Sequence, residues 1–229
     1  MTTVYLIRHG ETANNKQDCY NGCRSDQPLS ERGVLQAQHL AAALAEVPFE
    51  AIYCSPLIRA VQTAEILRGT RPMTLTVNEC IREMDMGDFD GVSYEEVRRR
   101  RPDISANWNK NPDAVKMPGG ESFAEALARS LPAVLAIIRA SRDKTVAVVA
   151  HGTLLRLLMA ALLGLPLSRK AEMDNLCNTG YYRISVTDDG QVTLEASNEC
   201  AHLPRELLPT WYRTPAMTGA RAYLGALKG

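Results

Sequence analysis

The sequence predicts an α/β fold: three layers, with a mostly parallel central sheet flanked by helices on both faces. Three observations carry this expectation. An apolar strand, a short polar turn and an amphipathic helix recur as a unit three times. The strands are continuous apolar runs, as expected of strands covered on both faces. Their alternation with helices implies parallel pairing through right-handed crossovers.

The elements follow in order. Val4-Tyr5-Leu6-Ile7 is a strand that leads into Arg8-His9-Gly10-Glu11-Thr12. Ser30 to Ala45 reads as a helix opened by Ser30 and Glu31-Arg32. Ala51-Ile52-Tyr53-Cys54 is the second strand, and a helix through Leu57, Val61, Ala64 and Leu67 follows it. Ser55 is expected to cap that helix and Pro56 to be its first residue. A shorter helix is expected from Ser93 to about Arg100, stopped by Pro102. Another runs from Glu121 to Ala140, after Pro118-Gly119-Gly120. Thr145 to Ala150 is the third strand, followed by His151-Gly152-Thr153 and a helix from Leu154. Tyr181 to Val186 and Val192 to Ala196 flank Asp188-Asp189-Gly190, a hairpin signal, and belong at one edge of the sheet. The whole, residues 1–229, is expected to be one domain, with a small helical insert at about 82–121 and a C-terminal arm at about 204–229 that contains Trp211-Tyr212-Arg213.

Composition narrows the function. The 229 residues carry no formal net charge, so nothing steers the chain toward nucleic acid or an anionic membrane. The longest apolar stretch, Leu154 to Leu165, is too short to span a bilayer and is interrupted by Arg156. The first residues lack the pattern of a secretory signal. The six cysteines are therefore expected to be reduced thiols in the cytoplasm, and no CxxC pair suggests a metal.

The chemistry is read from strand ends. Ligands of open α/β sheets bind at the carboxyl ends of strands, near a switch in strand order. His9 and His151, two of four histidines, fall at such ends, each before a glycine that would let backbone approach a ligand. Arg59 lies early in the second helix and Arg8 adjoins His9. Arginine offers a planar fork for phosphate oxygens. The N-terminus of the helix after His151 adds free N–H groups and a positive dipole end. Together these residues read as a phosphate cradle, with no metal and no cofactor.

Six ordered segments then resemble those of the histidine phosphatase (phosphoglycerate mutase-like) superfamily. They are Leu6-Ile7-Arg8-His9-Gly10-Glu11-Thr12-Ala13-Asn14-Asn15; Asp26-Gln27-Pro28-Leu29-Ser30-Glu31-Arg32-Gly33 with Gln36-Ala37; Tyr53-Cys54-Ser55-Pro56-Leu57-Ile58-Arg59-Ala60-Val61-Gln62-Thr63-Ala64; Arg82-Glu83-Met84-Asp85-Met86-Gly87-Asp88-Phe89-Asp90-Gly91; Gly119-Gly120-Glu121-Ser122; and Val149-Ala150-His151-Gly152. The resemblance implies the phosphoglycerate mutase-like fold. It makes His9 the nucleophile that becomes phosphohistidine, and Arg8, Arg59 and His151 the groups that hold phosphoryl oxygens. His151 is expected to donate from a protonated ring if nearby carboxylates or the bound phosphate raise its pKa. Asn15 would hold a further oxygen, and Glu83 would be the acid/base carboxylate. Thr12 and backbone N–H groups near Gly22 and Gly152 are further candidates.

The segment after Glu83 is short and acidic. The mutases of the family carry a long basic insert there, so the resemblance favours the phosphatase branch, close to broad-specificity and α-ribazole phosphatases. Phe89-Asp90 departs from the Trp-Glu usual at that place. The expected activity is hydrolysis of small phosphate monoesters, with no nucleic acid or membrane partner and a homodimer as one assembly. A phosphoglycerate mutase with the same nucleophile and a non-catalytic phosphate-binding module are the alternatives.

Overall fold

β1 (Thr2–Arg8) is apolar on both sides of its backbone and lies inside the sheet. Val4 and Leu6 face one helical layer, and Tyr5 and Ile7 the other. The computed structural model describes residues 1–212 and 221–223. The expected strand–turn–helix units are present. β2 (Ala51–Cys54), β3 (Leu75–Val77) and β4 (Thr145–Ala150) join β1 in parallel, in the order β3-β2-β4-β1. The hairpin strands β5 (Tyr181–Val186) and β6 (Gln191–Glu199) continue from β1 in antiparallel fashion, and β7 (Arg221–Tyr223) pairs beyond β6. Because β6 reverses a reversed neighbour, β1, β2, β3, β4 and β6 all point the same way.

Helices cover both faces. α2 (Glu31–Ala43) and α3 (Ile58–Arg68) pack Leu40, Ala60, Ala64 and Leu67 against Tyr5, Ile7, Ala147 and Val149. α6 (Phe123–Ala140) and α7 (Gly152–Leu162) pack Val134, Ile138, Leu155 and Leu158 against Val4, Leu6, Val146 and Val148. Each such large aliphatic side chain contributes about 1.5–3 kcal/mol on burial. The chain winds to opposite faces on either side of the β1–β4 pair, which opens a crevice at the carboxyl ends of those strands.

Helix starts show where local chemistry differs from expectation. Ser30 caps α2 through Gly33 N at 3.0 Å. α6 begins at Phe123 rather than Glu121, because Ser122 and Glu125 form a capping box before it. Ser55 does not cap α3. The helix starts at Ile58, and Asp26 supplies the acceptor from across the fold, with Ile58 N donating to its Oδ1 at 2.7 Å. α4 (Tyr94–Arg100) ends before Pro102, as expected, but Pro102 then opens α5 (Pro102–Lys110) as its first residue. α1 (Ala13–Lys16) is a short turn capped by Thr12. No helix among the described residues is long and apolar enough to cross a membrane. Of the arm after residue 203, Arg205–Leu207 make a 3-10 turn, held by Gln36 Nε2 on Leu207 O at 3.0 Å, and Arg221–Tyr223 form β7. Residues 213–220 and 224–229 lie outside the described residues.

Gly10 has a different use from the one its sequence suggests. A Cβ there would lie 2.5 Å from Gly33 O, and one on Gly33 would lie 2.1 Å from Glu11 O. The two glycines let the loop after β1 rest directly on the first turn of α2. Gly33→Ala is therefore expected to destabilise the fold by about 1–3 kcal/mol through overpacking. Urea denaturation measures it, and an unchanged midpoint would contradict this close contact.

Candidate active site

His9 follows β1 directly, and its backbone N donates to Ala150 O at 3.0 Å, which ties it to the end of β4. Its ring is buried. Nδ1 lies 2.6 Å from Gly10 O. A carbonyl oxygen only accepts, so the proton sits on Nδ1 and the lone pair on Nε2. Burial, then Arg59 and Arg8, holds the ring well below the usual histidine pKa, so it is neutral at physiological pH. This is the state a nitrogen nucleophile needs.

His151 stands immediately before α7, and its ring lies 5.2 Å from that of His9, centroid to centroid. Burial, Arg59 and His9 hold its pKa well below the usual value too. In the free protein, then, no neighbour raises the His151 pKa and the ring is neutral. Ser55 shows how the neutral ring can still donate. Its Oγ accepts Leu57 N at 3.3 Å and lies 2.7 Å from His151 Nε2. With the hydroxyl proton given to Nε2, the ring proton remains on Nδ1, which is buried and has no partner.

The arginines are held by neutral oxygens. Arg8 Nη1 donates to Leu176 O at 2.6 Å. Arg59 is fully buried and donates to Ser25 O and Gly22 O at 2.9 Å and to Asn21 O at 3.2 Å. The Nε of each is buried without a partner. Asp90 organises the loop that holds Arg59. Its carboxylate accepts Gly22 N at 3.0 Å, Arg24 N at 2.7 Å and Ser25 N at 3.2 Å. The departure from Trp-Glu thus keeps a carboxylate with a clear task. It also corrects the reading of Gly22, whose N–H is spent on Asp90 and whose carbonyl holds Arg59.

Glu83 is buried and occupies the N-terminus of α7. It accepts Thr153 N and Leu154 N, each at 3.1 Å, and Met84 N at 2.8 Å. At the helix N-terminus that the sequence assigns to phosphate, a carboxylate takes the N–H groups of Thr153 and Leu154. Burial raises the Glu83 pKa, against these three donors and Arg59, which lower it. Asn15 accepts Thr12 N at 3.2 Å and Asn178 Nδ2 at 3.1 Å through Oδ1, which leaves its amide nitrogen to donate. Thr12 is fully buried, and its hydroxyl serves the α1 cap and Asn21. Gly152 leaves room for Arg8, whose Nε would lie 3.2 Å from an added Cβ.

A cleft of about 720 Å³ opens above these groups. Arg8, His9, Asn15, Glu83 and Gly152 line it, and Leu208 to Trp211 of the arm form part of its rim. Arg59 and His151 are fully buried beside it, with the His151 ring next to that of His9. Several braces are absent from the residues singled out by sequence. Thr63 Oγ1 takes Gly10 N at 3.0 Å, Gln36 Oε1 takes Glu11 N at 2.9 Å, and Gln62 Oε1 takes Leu29 N at 2.8 Å. Gln36, Gln62 and Thr63 stand in the matched segments, which is a usable signal. Asn178, which donates to His9 O at 3.1 Å, stands in none.

The two depressed histidines couple stability to pH. In the unfolded chain they titrate near 6.5, roughly, while the folded chain refuses their protons until lower pH. Stability is thus full above that value and falls as pH drops below it toward the folded pKa values. His202, held at about 4 by burial, acts in the same direction. Urea midpoints measured from about pH 7.5 to 5 should fall for the wild type and fall less for a His9→Asn/His151→Asn variant. Parallel curves for the two proteins would contradict the neutral-imidazole assignment.

Comparison with known proteins agrees with this geometry. Residues 4–199 match the family model of the histidine phosphatase superfamily, branch 1. Phosphoserine phosphatase 1 of Hydrogenobacter thermophilus is 30% identical over 203 residues, which cover 89% of this chain and 95% of that protein. A 2,3-bisphosphoglycerate-dependent phosphoglycerate mutase of Methylobacterium radiotolerans is 34% identical over 170 residues, 71% of this chain and 79% of that protein. The solved structure of Bacillus stearothermophilus YhfR superposes with a TM-score of 0.82 at 34% identity, covering 88% of this chain and 99% of that one. Sequence segments, sheet order and the two facing imidazoles lead to one conclusion: the chain belongs to the histidine phosphatase superfamily, branch 1.

Proposed function

We propose that the protein hydrolyses small-molecule phosphate monoesters through a phosphohistidine at His9. The observation that carries this reading is the His9 ring itself: neutral, with Nδ1–H locked on Gly10 O and Nε2 free. A phosphohistidine intermediate is general to the family, and named relatives include phosphatases.

The steps follow from the residues. Nε2 of His9 attacks phosphorus as the ester P–O bond breaks. Arg8, Arg59, Asn15 and the Nδ1–H of His151 hold the three equatorial oxygens, where charge develops. Glu83, whose affinity for a proton is raised by burial, gives a proton to the leaving alcohol. It then takes a proton from water, which attacks phosphorus and frees His9. Fixed arginines supply the positive charge, so the reading needs no metal. It treats residues 1–229 as one catalytic unit, with 82–121 and the arm shaping the cleft. It places the protein in the cytoplasm, in keeping with its six free thiols.

The 34% identity to a mutase favours a second reading, phosphoglycerate interconversion with the same nucleophile. Dependence on a bisphosphate primer separates the two. The short acidic segment after Glu83 supports hydrolysis, because Asp85 and Asp90 are engaged with Arg24 and the loop under Arg59.

Two outcomes test the reading. Rapid quench with labelled substrate should trap protein-bound phosphate that is stable in base and labile in acid, and His9→Ala should lose at least roughly 10³-fold in kcat. Label with the opposite stability, or turnover retained by His9→Ala, would refute it. Ser55→Ala should lower kcat by roughly 10–100-fold with little change in KM, since one hydrogen bond to a group that meets charge is removed. Nitrogen-15 shifts of His151 should show loss of the Nδ1–H tautomer; an unchanged tautomer would rule out this role for Ser55.

A further inference from the structure

The cleft runs past the phosphoryl site to a wall that the steps above do not use. Lys170 lies there in the turn Leu167–Glu172, only 2% exposed. Its ammonium stands 4.5 Å from the Phe123 ring centroid and 5.5 Å from that of Trp108. It donates to Asn109 Oδ1 at 3.2 Å. Arg156 Nη1 donates to the same oxygen at 3.2 Å. The other Arg156 nitrogens hold Met173 O at 2.8 Å and Ala171 O at 3.0 Å. Lys170, Arg156 and Asn109 all line the cleft.

Every hydrogen-bond acceptor of these two cations is neutral, and they share one. Two positive groups on a single amide oxygen, one buried and one half-buried, repel each other, and burial adds a desolvation cost. The aromatic faces offset part of it. Burial and then Arg156 push Lys170 down to about 7. An anion between the pair would relieve both costs. Lys170 then carries only part of a charge at neutral pH, which suits one carboxylate better than a second phosphoryl dianion. The distance fits as well. Arg156 stands four residues after Gly152 on the same face of α7, about 6 Å along the helix axis. A compact organic acid spans such a gap.

We propose that Lys170 and Arg156, oriented by Asn109, form a carboxylate subsite, so that the favoured substrates are small phosphate monoesters that also carry a carboxylate. This rests on the phosphatase reading for turnover but not for binding. Phosphoserine and phosphoethanolamine differ only in that carboxylate. The wild type should show at least roughly tenfold higher kcat/KM for phosphoserine. Lys170→Met, which keeps an unbranched apolar stem against the rings, should erase the preference while kcat/KM for phosphoethanolamine changes less than about threefold. Asn109→Asp would place a carboxylate between the cations and should erase it too, which covers the case that Lys170→Met does not fold. Calorimetric binding of 3-phosphoglycerate against glycerol 3-phosphate, a pair that also differs at a carboxylate, reads the subsite without turnover. No turnover of any monoester with an intact, Lys170-dependent binding preference would overturn the phosphatase reading alone. Equal kcat/KM and equal binding for both pairs in the wild type, or equal losses on both members of a pair in the variants, would overturn the subsite. A preference for a bisphosphate over the carboxylates would overturn it as well.

Discussion

The site depends on buried positive charge that is held in place but not neutralised by direct contact. Arg59 is fully buried, and its hydrogen bonds go to three backbone carbonyls rather than to a carboxylate. Arg8 is held in the same way, by Leu176 O. A carboxylate paired directly to either guanidinium would cancel the field that an incoming dianion needs. Carbonyl dipoles fix the geometry and leave the charge available. The cost of burying these cations is met by the rest of the fold, and an anionic ligand lowers it. The same field acts on the histidines. Burial, reinforced by the two guanidiniums, keeps both rings neutral, which leaves a lone pair on one and an N–H on the other.

Carboxylates stand one step further back, where they organise without cancelling. Asp90 gathers three N–H groups of the loop whose carbonyls hold Arg59. Asp26 caps α3, the helix on which Arg59 rides. Glu83 is the exception that comes close. It takes two N–H groups of α7 and one of its own chain, and its burial raises its affinity for a proton. A carboxyl group poised between these influences can give a proton in one half of a reaction and take one in the other. The N-terminus of α7 thus holds a carboxylate, with Gly152 leaving space for Arg8 beside it.

The fold was legible because it rests on period and burial, which a single sequence carries. Apolar runs at Val4 to Ile7 and Thr145 to Ala150 mark interior strands, and the Asp-Asp-Gly turn marks the antiparallel edge. His9, His151, Arg8 and Arg59 were legible because their segments recur as blocks in a known order. Roles that depend on contacts between distant residues were not legible. Thr12 and Gly22 stand in the right loops, but which of their atoms is already engaged is decided by Asn21 and Asp90. Ser55 looks like a cap because a cap is the local expectation; Asp26 takes that task, and Ser55 turns to His151. Pro102 stops one helix and starts another, because its missing N–H suits a first turn as well as a break. Lys170 has no motif around it, and its surroundings exist only once α5, α6 and α7 are packed.

The central claim is that His9 Nε2, Arg8, Arg59, Asn15 and His151 Nδ1 converge on one tetrahedral dianion. A crystal structure with vanadate tests it most directly. The account predicts vanadium within bonding distance of His9 Nε2, with its oxygens on both arginines, the Asn15 amide and His151 Nδ1. Vanadate bound through another residue, or His9 presenting Nδ1 to the metal oxyanion, would contradict it.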